Sequence, residues 1–153
     1  MNILLDTNIL VFLTRSKNFD DLIRFINPQD ALIYVSVVTD AEIRSLALRK
    51  NWSIGRIELL ENFLSRINII DVNQLLTQAY VDIDAYSQRE NPNFTSYSFN
   101  TPRNMGKNDL WIASLAAMLN LTLLTTDADF DHLHGVFFDV RKINSTEFLP
   151  FFK

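Results

Sequence analysis

Residues 3–8 read Ile3-Leu4-Leu5-Asp6-Thr7-Asn8, a short apolar run closed by a carboxylate. A run of this kind suits a buried strand, and the same pattern of apolar run followed by a helical period recurs outward along the chain. Residues 31–36 (Ala-Leu-Ile-Tyr-Val-Ser) form a β-branched run, followed by a helical pattern through Lys50. Ile54, Ile57, Leu60 and Phe63, widened by Leu59 and Leu64, then recur at helical spacing within 53–66. Residues 67–70 make a third apolar run ending in Asp71, and 72–90 set Leu75, Leu76, Ala79, Ile83 and Tyr86 on one helical face. Residues 91–107 break the order with two prolines and several Asn, Ser and Thr, which predicts a long loop. Beyond it, 109–119 read as a nearly all-apolar helix, 121–125 as a buried strand and 136–140 as a last strand before an aromatic tail. Strands separated by helices pair in parallel through right-handed crossovers, so the expected fold is a three-layer α/β/α sandwich around a mostly parallel five-stranded sheet. No internal repeat or linker interrupts it.

Composition narrows the class. The 153 residues are 48% hydrophobic and 21% charged, enough apolar material for one ordinary core and unlike a disordered chain. The absence of cysteine excludes disulfide scaffolds, thiolate zinc sites, CxxC redox chemistry and cysteine nucleophiles together, and fits a reducing compartment. The longest apolar-rich stretch, 110–124, is broken by Ser114, Asn120 and Thr122 and falls short of the ~20 residues that span a bilayer. With Asp6 so early and no basic segment before it, no secretory signal is expected, and the mature chain is expected to start at Met1.

In open parallel sheets ligands bind outside the carboxyl ends of the strands, and carboxylates stand there. Asp6 ends the first strand, Glu42 lies in the first turns of the helix after the second, Asp109 opens the helix before the fourth, and Asp127 lies just past the fourth. Each has a bland explanation. Asp6 suits a helix N-cap, Thr39-Asp40-Ala41-Glu42 has the form of a capping box, Asp109 complements a helix macrodipole, and Asp127 suits a turn. Those separate roles leave unexplained why all four fall on one edge. Crowded carboxylates repel and raise one another's pKa, so the cluster is tolerable mainly with a divalent cation, and oxygen-only ligation selects Mg²⁺ or Mn²⁺. Four acids so engaged leave fourteen facing the fourteen lysines and arginines, so the net charge of −4 is weak evidence against a phosphate-backbone partner.

Other residues read as structural. Asp71-Val72-Asn73-Gln74 has the form of a cap with a matching Gln. His132 and His134, two apart, would point to different faces of a helix and read as surface histidines. The tryptophans and most phenylalanines suit the core, and loop aromatics Phe94, Tyr97 and Phe99 read more readily as packing than as stacking platforms for bases.

Ile-Leu-Leu-Asp6-Thr7-Asn8-Ile-Leu, Ser36-Val-Val-Thr-Asp-Ala-Glu42-Ile, Asn108-Asp109-Leu-Trp-Ile-Ala and Leu-Leu-Thr-Thr126-Asp127-Ala-Asp129-Phe occur in the order and approximate spacing of PIN-domain nucleases. The chain most resembles the VapC-type toxins of bacterial toxin–antitoxin pairs, over essentially its whole length. The resemblance implies a single PIN-like nuclease domain over 1–153 and a metal-dependent ribonuclease of the cytoplasm. Asp6, Glu42, Asp109 and Asp127 match the family's acidic quartet, which holds Mg²⁺ or Mn²⁺, and Thr7 and Asn8 match its polar support positions. By the same resemblance the protein is a homodimer silenced by a small antitoxin. Products with a 5′-phosphate and a 3′-hydroxyl are expected. Arg103 and Lys107 stand beside the predicted site and are candidates to hold the RNA backbone, with loop solvation as the alternative. The long loop 91–107 departs from the family pattern.

Competing readings lack supporting residues. A receiver domain needs an acid pair after the first strand and a lysine after the last, a D-x-D-x-T phosphatase needs an acid where Asn8 stands, and three glycines cannot form G-x-G-x-x-G. A non-catalytic PIN-like module for RNA binding or protein interaction is the alternative, since fold alone does not establish activity.

Overall fold

The apolar runs form five short strands, β1 (Ile3–Leu5), β2 (Ile33–Ser36), β3 (Asn68–Ile70), β4 (Thr122–Thr125) and β5 (Val140–Lys142), in a computed structural model that describes residues 2–153. Six α-helices connect them: α1 (Thr7–Arg15), α2 (Phe19–Ile26), α3 (Val37–Arg49), α4 (Ile54–Leu64), α5 (Thr77–Ser87) and α6 (Lys107–Leu119). The sheet order is β3-β2-β1-β4-β5 and every neighbouring pair is parallel.

Side chains alternate across the sheet and divide the core in two. Ile3, Leu5, Val35 and Leu124 join one cluster with Ile9, Leu10 and Leu13 of α1, Leu22 of α2 and Leu60 of α4. Leu4 and Leu123 join the other, with Ile83 and Tyr86 of α5 and Leu110, Ile112 and Leu115 of α6. This is the expected α/β/α sandwich, and it explains the near-continuous apolar runs: strands covered on both faces have no solvent side to mark with polar residues. A 3-10 helix (Ser145–Phe152) seals the first layer, with Phe148 fully buried and its ring 4.5 Å from that of Phe12.

Three local readings are corrected. The last strand is Val140–Lys142, displaced from 136–140, because Gly135 turns at φ +73° and Phe137 and Phe138 pack into the α5–α6 layer. The first cap of α3 is Ser36, whose hydroxyl accepts from the Val38 N–H at 3.1 Å, so Thr39 lies inside the helix and no capping box holds Glu42. Asn73, not Asp71, caps the 3-10 helix (Gln74–Leu76) that precedes α5.

These connections place the site. From β1 the chain moves one way to β2 and β3, then returns to β4 on the other side of β1. The sheet therefore reverses direction between β1 and β4, where crevices open at the carboxyl ends of parallel strands. No helix among the described residues is long and apolar enough to cross a membrane.

Candidate functional site

Leu5 pairs with Leu124, so the residues following each strand emerge side by side. Asp6 comes first. Its backbone is extended, its Oδ1 accepts from the Thr7 N–H at 2.8 Å, and its side chain is thereby the N-cap of α1. Its Oδ2 accepts from the Thr125 hydroxyl at 2.7 Å, and the residue is only 6% exposed. The Thr125 hydroxyl in turn accepts from the Asp127 N–H at 3.0 Å. Asp127 then caps the 3-10 helix (Ala128–Leu133) by accepting from the Asp129 N–H at 2.9 Å. From the other side, the Thr7 hydroxyl donates to Glu42 Oε1 at 3.1 Å and joins α1 to α3. Asp109 sits in the first turn of α6.

These acids lie close enough to repel one another. Burial pushes the Asp109 carboxyl up to about 7, and repulsion from Asp6, Asp127, Asp129 and Glu42 adds to the rise. Burial also raises Asp6, against the bonds from Thr125 and Thr7, with Asp127 and Glu42 pushing it further up. Among the described residues no lysine, arginine or histidine forms an ion pair with any of these five acids. One carboxylate oxygen from each of Asp109, Asp127 and Asp129 lies within 4.8 Å of the other two. An all-carboxylate donor set short of positive charge fits a hard divalent cation. The bonds accepted by Asp6 and Asp127 do not compete with this: the cap of Asp127 occupies one carboxylate oxygen and leaves the other, and each Asp6 oxygen, although both accept a bond, keeps a further lone pair.

Asp129 is the member that sequence reasoning did not single out. The signal was the second acid of Thr125-Thr126-Asp127-Ala128-Asp129, which the tight 3-10 turn brings onto the same side as Asp127. Asn8 is exposed on the first turn of α1, and Lys107 is exposed at the start of α6. Arg103 donates from its guanidinium to the Ala128 carbonyl at 2.8 Å. A cleft of about 420 Å³ opens on the Glu42 side, lined by Thr7, Ala41, Glu42, Ser45, Leu46 and Arg49.

His132 is not a surface histidine: it is 5% exposed, its Nε2 lies 2.7 Å from Ser87 Oγ, and burial pushes its pKa down to about 4. His134 is exposed, and its Nδ1 accepts from the Val140 N–H at 2.8 Å. Phe94, Tyr97 and Phe99, each half-buried, pack around Tyr86, with ring centroids 4.6, 5.1 and 5.4 Å away, so they serve the protein's own packing.

Residues 3–136 match the PIN domain family. A Haemophilus influenzae protein named Ribonuclease VapC2 is 27% identical over 124 residues, covering 81% of this chain and 85% of that protein. Among solved structures, VapBC2 from Rickettsia felis, bound to a DNA fragment from its promoter, superposes with a TM-score of 0.71 at 23% identity, covering 93% of this chain and 98% of that one. VapBC-5 from Mycobacterium tuberculosis, a member of the VapBC family of toxin–antitoxin systems, superposes with a TM-score of 0.65 at 22% identity and the same coverage. At these identities the two structures bear on the fold.

Proposed function

The chain belongs to the PIN domain family, and from that premise we propose that it is a Mg²⁺- or Mn²⁺-dependent endoribonuclease acting as the toxin of a toxin–antitoxin pair. One observation carries the reading: carboxylate oxygens of Asp109, Asp127 and Asp129 converge within 4.8 Å of one another, none in an ion pair with a base among the described residues, an arrangement stabilised by a divalent cation. The similarity to Ribonuclease VapC2 supports RNA as the substrate, and the likeness to VapBC complexes supports an antitoxin partner.

In this reading Asp6 and Asp109 are direct ligands, and Glu42 and Asp127 complete the quartet as ligands or by orienting the attacking water; Asp129 adds a fifth carboxylate. When bound, the metal supplies positive charge at the scissile phosphate and makes water a competent nucleophile near neutral pH. The remaining work belongs to the chain. Thr125 fixes the rotamer of Asp6 and the backbone of Asp127 with one hydroxyl, and Thr7 fixes Glu42, so the carboxylates are oriented before substrate arrives. Asn8 is a polar support at the mouth of the site, and Arg103 and Lys107 hold the phosphate backbone as it passes the acids. Hydrolysis leaves a 5′-phosphate and a 3′-hydroxyl. A small antitoxin silences the toxin by covering the acidic crevice, and the active species is a cytoplasmic homodimer. Cleavage of single-stranded and transfer RNA by the purified protein, lost in Asp6→Asn, tests the reading. Equal cleavage by that variant removes Asp6 from the machinery.

A further inference from the structure

The segment 88–106 has no regular secondary structure, yet its side chains form an interior of their own. Tyr86, the penultimate residue of α5, is ringed by Phe94, Tyr97, Phe99 and Phe137, and the His132 ring lies parallel to it at 6.4 Å. Buried Asn91 donates to the Asp82 carbonyl at 3.0 Å, and the Tyr97 hydroxyl donates to the Asn91 carbonyl at 3.1 Å. A loop packed in this way is a rigid support and not a flexible connection. Arg103, near the end of this loop, is tied at both of its own ends: the backbone N–H donates to the Ser87 carbonyl of α5 at 2.7 Å, and the guanidinium donates to the Ala128 carbonyl.

Ala128 lies between Asp127 and Asp129, whose charges repel. The turn's own bonds, from Asp127 N–H to Thr125 and from Asp129 N–H to Asp127, span only two residues each. Three side-chain bonds reach it from afar: Arg103 at its start, Lys142 to Asp131 at 2.6 Å in its middle, and Ser87 with His132 near its end, so Arg103 is the one that grips the part between Asp127 and Asp129. We propose that Arg103 is a positioning residue, which uses the packed loop 88–106 to hold the Asp127–Asp129 turn in register with Asp109 for cation binding.

The proposal rests on the metal site described above, and its sign separates it from simple electrostatics. Removing a cation beside an acidic cluster should by Coulomb's law tighten divalent cation binding. Removing a brace should weaken it, as loss of groups that orient ligands does by about 10-fold or more. The test is Mn²⁺ titration by calorimetry, without RNA, of wild type, Arg103→Ala, Arg103→Lys and Arg103→Met, with circular dichroism confirming the fold. About a 10-fold weaker Kd in Arg103→Ala, with a smaller loss in Arg103→Lys, is expected. Unchanged or tighter binding in Arg103→Ala overturns the brace. Should Arg103→Ala fail to fold, unchanged or tighter binding in Arg103→Met, which keeps the apolar stem but cannot donate to the Ala128 carbonyl, overturns it equally. Absence of Mn²⁺ binding by wild type refutes the metal site itself, which distinguishes the two failures.

Discussion

Thr125 donates its hydroxyl proton to Asp6 Oδ2 at 2.7 Å across 119 positions of sequence. Both residues are buried, and the bond spans the point where the sheet reverses direction. Replacement by valine keeps the shape and removes the donor, leaving a buried carboxylate oxygen and the Asp127 N–H without that partner. Thr125→Val is therefore expected to lose about 1–3 kcal/mol of stability in chemical denaturation. It is also expected to bind Mn²⁺ about 10-fold more weakly. Wild-type values for both would show that the hydroxyl is incidental.

Asp109 makes the metal-free protein pH-sensitive in a defined direction. Its folded pKa of about 7 lies above the ordinary 3.8, so between these values the folded state retains a proton that the unfolded chain has released. Its contribution favours folding as pH falls toward 4, and above 7 the folded state bears the full repulsion. In EDTA at pH 8, Asp109→Asn should be more stable than wild type by on the order of 2 kcal/mol, with the gain gone near pH 4. Urea denaturation at the two pH values measures this, and a variant less stable at pH 8 contradicts it.

His132 works in the opposite direction. Its folded pKa of about 4 lies below the ordinary 6.5, because burial and the nearby Arg103 disfavour the charged ring, with Asp131 opposing. Its contribution is intact above pH 6.5 and is lost as pH falls toward 4, since the unfolded chain takes up the proton first. His132→Gln removes this dependence. The slope of stability against pH between 6.5 and 4 should fall in the variant, whatever its absolute stability, and an unchanged slope places the titration elsewhere.

Lys107 tests the phosphate contact. In EDTA with intact single-stranded RNA, Lys107→Ala should weaken binding and reduce the magnitude of the slope of log K against log salt by about 0.7. An unchanged slope returns Lys107 to ordinary solvation.

The sheet was legible because parallel strands covered on both faces leave continuous apolar runs, as in Leu123 and Leu124, and because an acid follows β1 directly. Helix starts were less so. Thr39 and Glu42 satisfy a capping pattern that the chain does not use, because Ser36 at the end of β2 supplies the cap one turn earlier. Aromatic residues concealed the rest. Phe137 and Phe138 suit a strand by propensity, but they are drawn into the layer around Tyr86, which delays β5 to Val140. The same layer buries His132 through contacts with α5 and the loop, which no local pattern announces. Asp129 was hidden among turn residues until the 3-10 geometry set it beside Asp127.

In the proposed function the acidic crevice between β1 and β4 cuts RNA with the help of a divalent cation. The most direct measurement is cleavage of end-labelled transfer and single-stranded RNA by antitoxin-free protein in EDTA and after addition of Mn²⁺, with Asp109→Asn prepared identically. No cutting in EDTA, cutting with 5′-phosphate products once Mn²⁺ is added, and loss of at least about 100-fold in the variant are expected. Cutting that persists in EDTA, or proceeds equally in Asp109→Asn, would contradict the proposed function.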